Sequence, residues 1–186
     1  MKRIENYESV QASSGEFARP IAGGYICKIV NVIDVPIDEM TGKGDYLRIE
    51  YDIADGDLKG YYKEQFDKWG GTWKASFVRS YKEKALGMFK HFTNCVESCN
   101  AGFEWDWNET ALIGKVVGLV LGEEEYENSM GSVKTKLVVK EVKTIEEIKA
   151  GNFKIPDPKK LEKSSSASGS DVVFIPLIED DEDLPF

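Results

Sequence analysis

The sequence predicts a mainly β protein in which five strands form a Greek-key barrel and one helix lies between the third and the fourth strand. Two observations support this prediction. Several segments alternate between apolar and polar residues, as half-buried strands do, whereas residues 80–100 carry apolar side chains at helical spacing. The chain has 186 residues, of which 41% are hydrophobic, so it suits one domain with its own core and some appendages.

The first three strands are predicted in the N-terminal part of the domain. The largely apolar residues 23–33 predict the first strand. Residues 46–53 alternate and predict the second. Its apolar side consists of Leu47, Ile49, Tyr51 and Ile53. After a turn at residues 55–57, residues 60–66 predict the third strand.

The remaining elements are one long helix, two strands and a short final helix. Residues 80–100 predict an amphipathic helix. Its apolar side consists of Tyr81, Ala85, Leu86, Phe89, Phe92, Val96 and Cys99. Residues 111–121 and 133–142 predict strands joined by a long loop at 123–132, and residues 144–151 predict a short helix. Three strands, a helix and two strands is the order of the OB-fold, a five-stranded barrel that binds oligonucleotides.

The composition divides the chain into four parts. Residues 1–22 form a polar N-terminal arm, and residues 23–155 form the predicted OB-fold domain. Residues 156–170 are rich in proline and then in serine, which predicts a linker. Residues 171–186 form an acidic tail that includes an apolar segment at 172–178.

The charge is distributed unevenly. The formal net charge is −9, which at first disfavours binding to nucleic acid. However, six of the 33 acidic residues and none of the 24 basic residues lie beyond Lys163. Residues 1–163 therefore carry a net charge of only −3 and can still present a basic surface.

The last six residues combine an acidic run with an apolar end. They read Asp181-Glu182-Asp183-Leu184-Pro185-Phe186. Such a segment cannot join a core of its own without desolvating its carboxylates. It suits the surface of a partner, where Phe186 fills an apolar pocket and Pro185 reduces the entropy lost on docking.

This ending resembles the acidic C-terminal tip of bacterial and bacteriophage single-stranded DNA-binding proteins. In that family the tip typically has several Asp, then an aliphatic residue and a final Pro-Phe. This chain departs by carrying Glu182 within the acidic run and Leu184 as the aliphatic residue. The resemblance implies an OB-fold that coats single-stranded DNA, a homo-oligomer, and a tip that recruits replication, recombination or repair proteins. A bacteriophage origin is the interpretation that we favour.

Single-stranded DNA is bound by stacking bases on aromatic rings while basic side chains follow the phosphates. The aromatic and basic residues in the predicted second and third strands, the loop behind them and the flanking loops are therefore the candidates. They are Lys43, Tyr46, Arg48, Tyr62, Lys63, Phe66, Trp69, Trp73, Lys74, Arg79, Lys134 and Lys136. For Trp69 and Trp73, stacking on DNA and packing in the protein are both open.

Catalytic and cofactor sites are not expected. Residues 41–44 lack the upstream glycine and the following Ser or Thr of a phosphate-binding loop. His91, Cys95 and Cys99 share a helical face, but buried thiols explain them better than zinc does. The alternatives to DNA binding are a protein-interaction adaptor with a β-barrel and, more weakly, a metal-dependent nuclease that uses the acidic runs.

The sequence also predicts where the protein acts. The three cysteines form no disulfide framework, which fits a reducing cytoplasm. No signal peptide or membrane span is recognised, so we expect a cytoplasmic protein, in the host cytoplasm if it is phage-encoded.

Overall fold

The computed structural model describes residues 18–161. Within this range, five strands, three α-helices and two short 3-10 helices follow one another along the chain. In order they are β1 (Gly23–Val35), β2 (Tyr46–Ile53), α1 (Tyr61–Trp69), β3 (Ser76–Ser80), a 3-10 helix (Glu83–Ala85), α2 (Leu86–Cys99), a 3-10 helix (Glu109–Leu112), β4 (Val116–Glu127), β5 (Val133–Lys143) and α3 (Ile145–Lys149). The predicted mainly β class and the helix between the third and fourth strands are both confirmed.

The five strands form one antiparallel sheet in the order β3-β2-β1-β4-β5. The two outer strands of this order, β3 and β5, also contact each other, and α2 packs against β3, β4 and β5. The sheet therefore curves around a shared core. Its largest fully buried side chains include Tyr51, Phe92, Ile29 and Leu119. The apolar side predicted for β2 is confirmed, since all four of its residues are almost completely buried, but Glu50 and Asp52 on the other side are buried as well.

The predicted third strand was wrong. Residues 61–69 form α1 instead, because the Asp52 carboxylate accepts hydrogen bonds from the backbone N–H groups of Tyr62 at 2.9 Å and Lys63 at 3.2 Å. A carboxylate in this position satisfies N–H groups that have no partner in the first turn of a helix. The third strand is the shorter Ser76–Ser80, which pairs with β2.

The boundaries of the fourth strand also differ from the prediction. It begins at Val116 rather than 111, because a 3-10 helix and the left-handed Gly114 (φ 88°) precede it. It continues to Glu127, into the predicted loop, because Glu124 and Tyr126 pair across the hairpin with Lys136 and Lys134. Opposite charges and aromatic residues that face each other across strands stabilise such a ladder.

Two local devices fix the helices to the sheet. The side chain of Asn100 donates to the carbonyl of Val116 at 2.8 Å and accepts from its N–H at 3.0 Å, so the end of α2 is held on β4. Thr144 and Glu147 form a reciprocal capping box at the start of α3. The predicted short final helix is thereby confirmed.

The first six residues of the predicted linker, 156–161, are described and run beside β4. Lys159 donates its N–H to Glu123 and accepts from the N–H of Glu125, at 3.0 and 2.8 Å. The rest of the linker, the acidic tail and residues 1–17 lie outside the described residues. Between residues 18 and 161, no helix is long and apolar enough to span a membrane.

Candidate nucleic-acid interface

The solvent side of β1, β2 and β3 carries part of the predicted site; we call it the outer face. The strand register determines which of its residues lie side by side. Tyr46 lies between Val35 and Ser80, and Arg48 lies between Ile33 and Val78. Tyr46 is half-buried, and Val78 is 37% exposed. The outer face thus offers an aromatic ring and apolar side chains next to one guanidinium.

Arg48 is held in place by an acidic neighbour. Its Nη2 donates to Glu50 Oε1 at 3.2 Å, and Asn31 Nδ2 donates to Glu50 Oε2 at 3.0 Å. The Arg48 Nε is buried without a hydrogen-bond partner among the described residues. The guanidinium is therefore oriented, but part of its charge is balanced by Glu50. A phosphate at this place would have to compete with that carboxylate.

The four aromatic candidates after β2 divide into two packed residues and two exposed ones. Tyr62 packs edge-on against the core residue Tyr51, with ring centroids 5.7 Å apart, and Trp73 donates Nε1–H to the carbonyl of Tyr51 at 3.0 Å. In contrast, Phe66 is 40% exposed, although its ring lies 5.6 Å from that of Trp73, and Trp69 is 57% exposed, with Lys68 Nζ 5.2 Å from its ring centroid. For Trp73 these contacts favour packing, whereas Trp69 remains accessible to a base.

The basic candidates near α1 lie at the surface. Lys63 and Lys74 are exposed, and Lys63 forms an i,i+4 ion pair with Asp67 at 2.6 Å. Both partners of this pair are more than half exposed, so it contributes only about 0–1 kcal/mol and yields readily to another anion.

Burial raises the pKa of Tyr62 well above its usual range, so its hydroxyl stays protonated and neutral.

Several lysines lie near Glu124 and Tyr126 of the β4–β5 hairpin. Lys136 Nζ lies 5.3 Å from the ring centroid of Tyr126, and Lys134 pairs across the strands with the same tyrosine. Glu124 contacts Lys159 at 3.0 Å and Lys140 at 3.9 Å. Burial opposes ionisation of Glu124, but its lysine neighbours outweigh this effect and lower its pKa below 4.5. Three lysines, Lys136, Lys140 and Lys159, therefore lie close enough to Glu124 to favour its ionised form.

Lys43 and Arg79 occupy opposite environments. Lys43 is exposed in the loop between β1 and β2. Arg79 is only 9% exposed, and its guanidinium lies over the rings of Phe77 and Phe92 at 4.7 and 5.9 Å. Burial lowers the pKa of Arg79 to about 10, a value at which it stays charged at neutral pH. The structure thus places Arg79 in the core, away from any phosphate path over the outer face.

Three further lysines belong to the same surfaces and were not singled out in the sequence. Lys28 is exposed on the outer face opposite Asp52. The sequence feature that could have identified Lys28 as an outward residue is its position between Cys27 and Ile29, which are both buried. Lys140 shares the period-two spacing of Lys134 and Lys136 along β5, whereas Lys159 joins the hairpin cluster through the pairing of residues 156–161 with β4, which no local pattern in the sequence reveals.

His91, Cys95 and Cys99 lie on one face of α2 and make contacts within the protein. Among the described residues, no group of three or more His, Cys, Asp or Glu could hold a metal ion. His91 Nε2 lies 2.9 Å from the carbonyl of Val142, to which it donates. Burial raises the pKa of Cys99 and brings that of Cys95 to about 11, so both remain protonated thiols at neutral pH.

Of the candidates, Tyr46 and Arg48 lie on the outer face, Lys63, Phe66 and Trp69 on the exposed side of α1, and Lys134 and Lys136 on the β4–β5 hairpin. Lys43 and Lys74 lie in loops, and Tyr62, Trp73 and Arg79 pack against core residues. The predicted interaction tip, residues 181–186, lies outside the described residues. No protein-family model matches the sequence, and a search of curated proteins finds no match either.

Proposed function

We propose that this protein binds single-stranded DNA without strong sequence preference, on an OB-fold. The observation that carries the proposal is the sheet order β3-β2-β1-β4-β5 with a helix between β3 and β4 and with β3 in contact with β5. An OB-fold has this connectivity, and it binds oligonucleotides across strands two and three, between the first and the fourth strand-connecting loops.

The side chains along that path support the proposal. Tyr46 on the outer face and Phe66 and Trp69 on α1 offer rings on which bases stack, each worth about 1–3 kcal/mol. Lys43 lies in the first loop, and Lys134 and Lys136 lie on the hairpin that carries the fourth. In this proposal these three lysines contact phosphates, and Arg48 and Lys63 provide two further cations. Because every base has a π-face, this mode tolerates any sequence.

The resemblance of the C-terminal tip to that of single-stranded DNA-binding proteins implies the biological role that we propose. The protein coats exposed single strands, protects them and melts their secondary structure during DNA replication, recombination and repair in the cytoplasm of a phage-infected cell. The tip at residues 181–186 recruits the enzymes that act on the coated strand. The protein itself is a binding protein and not an enzyme, and we expect it to form a homo-oligomer.

Fluorescence titration with oligo-dT at several salt concentrations tests this proposal. We expect saturable quenching of tryptophan and an affinity that falls as salt rises, with a negative slope of log affinity against log salt. A duplex of the same length serves as the control and should compete poorly. A flat titration at 50 mM salt would contradict the proposal and favour a protein-interaction adaptor, whereas cleavage of the strand in magnesium would favour a nuclease.

The tip is tested separately in the full chain. A variant that lacks Leu184, Pro185 and Phe186 should keep its affinity for oligo-dT and lose the capture of replication enzymes. Capture that is unchanged in this variant would show that the tip only supplies charge.

A further inference from the structure

An aromatic cleft lies beside the start of α2, outside the surfaces described above. It has a volume of about 290 Å³, enough for one long side chain. Four aromatic residues and two acids enclose it above the buried Leu47. They are Tyr81, Phe89, Trp105, Trp107, Asp34 and Glu109.

The cleft opens on the opposite side of the sheet from the outer face. Asp34 and Leu47 are paired in the register of β1 and β2, and both line the cleft. Their sequence neighbours Tyr46 and Arg48 point to the outer face, because successive side chains of a strand alternate between the two sides. A ligand in the cleft is therefore separate from a strand of DNA on the outer face.

Trp107 forms an exposed wall of the cleft. Its ring is stacked on Phe89 with an interplanar angle of 11° and ring centroids 6.5 Å apart, and Trp105 lies 6.1 Å from it. The side chain of Trp107 is nevertheless 79% exposed, and its backbone is left-handed at φ 65°. Non-glycine residues seldom adopt this conformation, and a large exposed indole gains little from the fold alone. The arrangement suits a ring that is kept available for a ligand.

The polar groups of the cleft are acidic. The Tyr81 hydroxyl donates to Asp34 Oδ1 at 2.8 Å. The pKa of Tyr81 is raised far above its usual range, first by burial, then by this hydrogen bond and by the negative charges of Asp34 and Glu109. Within residues 18–161, neither carboxylate forms an ion pair, and no Lys or Arg lines the cleft.

We propose that this cleft binds an arginine side chain presented by a partner protein. The planar guanidinium stacks on aromatic faces and forms paired hydrogen bonds with carboxylates, so it matches both features of the cleft. A DNA phosphate is disfavoured by Asp34 and Glu109. The acidic tail is an unsuitable occupant as well, since no basic residue follows Lys163.

The test uses the indole N–H signals of the four tryptophans in the full-length protein, measured by NMR. The probe is the peptide acetyl-Gly-Arg-Gly-amide. The control is the same peptide with citrulline in place of arginine, because citrulline has nearly the same shape and no charge. We expect the arginine peptide to shift the Trp105 and Trp107 signals saturably and to leave those of Trp69 and Trp73 in place. It should bind at least about fivefold more tightly than the citrulline peptide.

Two variants and a matched control locate the binding. Asp34→Asn combined with Glu109→Gln should remove the preference for arginine over citrulline. Trp107→Gly should abolish the saturable shift of Trp105 without backbone strain, because glycine adopts a positive φ freely. Glu104→Gln removes an exposed acid that does not line the cleft and should change nothing. Unchanged signals of Trp69 and Trp73 show that each variant is folded.

Three results would overturn the proposal. Equal binding of the citrulline peptide would show that charge plays no part. Oligo-dT that shifts Trp105 and Trp107 and competes with the arginine peptide would assign the cleft to a nucleobase. Shifts of the two signals on replacing Lys2 and Arg3 by glutamine, with no peptide present, would assign it to the N-terminal arm. Each outcome is independent of whether the outer face binds DNA.

Discussion

The outer face and the aromatic cleft lie on opposite sides of the same two strands and differ mainly in the charges beside their rings. On the outer face, Tyr46 is a neighbour of Arg48, and lysines lie in the flanking loop and hairpin. In the cleft, Trp107 and its neighbours share the space with Asp34 and Glu109. Aromatic rings accept nucleobases and cations alike, so the accompanying charge decides which of them binds. The two proposed sites are therefore separate, and we expect their ligands to bind without competition.

The largest expected effect on DNA affinity comes from removing the Tyr46 ring of the outer face. Tyr46→Ala should weaken binding of oligo-dT by about 1–3 kcal/mol, which is roughly 5- to 150-fold, because one base loses its stacking partner. Trp107→Gly should leave that affinity unchanged. Fluorescence anisotropy of a labelled oligo-dT measures both variants. A loss for Trp107→Gly equal to that for Tyr46→Ala would remove the distinction between the two sides.

The second-largest effect concerns the salt dependence of DNA affinity, which reports how many lysines contact phosphates. Replacement of Lys43, Lys134 and Lys136 by glutamine removes three proposed phosphate contacts. The slope of log affinity against log salt should become shallower by about 0.7 for each contact, or about 2 in total. The matched control replaces three other lysines in the same way: Lys84, Lys90 and Lys149, which are exposed elsewhere. An equal change of slope in both triple variants would mean that only the net charge matters.

The Asp52 carboxylate holds the first turn of α1, the helix that carries Phe66 and Trp69. Asp52→Ala leaves the first-turn N–H groups of Tyr62 and Lys63 without their carboxylate, so the free energy of unfolding should fall by about 1–2 kcal/mol. Denaturation with urea measures this loss. The control is Asp55→Ala, because within residues 18–161 the carboxylate of the exposed Asp55 bonds only to the N–H of the adjacent Gly56. If both variants are equally stable, the carboxylate of Asp52 does not hold the helix.

The smallest expected effect is on the pH dependence of stability and concerns Glu124, which lies beside Lys140 and Lys159. Its lowered pKa means that its contribution to stability is present above about pH 4.5 and is lost as the pH falls through the lowered value. Glu124→Gln should therefore flatten the acid limb of the stability curve by about 0.5 kcal/mol. Urea denaturation at pH 3 to 7 measures it. A steeper acid limb in the variant would mean that the Glu124 carboxylate destabilises the fold.

Much of the fold could be predicted because it is encoded in local periodicity. The alternation of β2 and the helical spacing of α2 are both regular, and both elements were found, although α2 begins at Leu86 rather than at 80 because a 3-10 helix precedes it. The third strand was missed since β3 has only five residues and turns Arg79 toward the core, where Phe77 and Phe92 cover it. The helical start of α1 depends on Asp52, which lies ten residues before Tyr62.

The candidate site was less predictable than the fold. Exposed residues such as Lys43, Lys134 and Trp69 could be anticipated from loop and strand positions, although their binding to DNA remains a prediction. The packing of Trp73 on Tyr51 and the burial of Arg79 arise from tertiary contacts. The cleft depends on Asp34, Tyr81 and Glu109, which are far apart in sequence and meet only in the folded chain.

The most direct test of the central claim is a titration of the full-length protein with oligo-dT, followed through the four indole N–H signals at 50 and 200 mM salt. We predict saturable binding that weakens strongly at the higher salt concentration, with a shift of Trp69 on the exposed side of α1 and little change of Trp107 in the cleft. Absence of binding at 50 mM salt, or shifts confined to Trp105 and Trp107, would contradict the account.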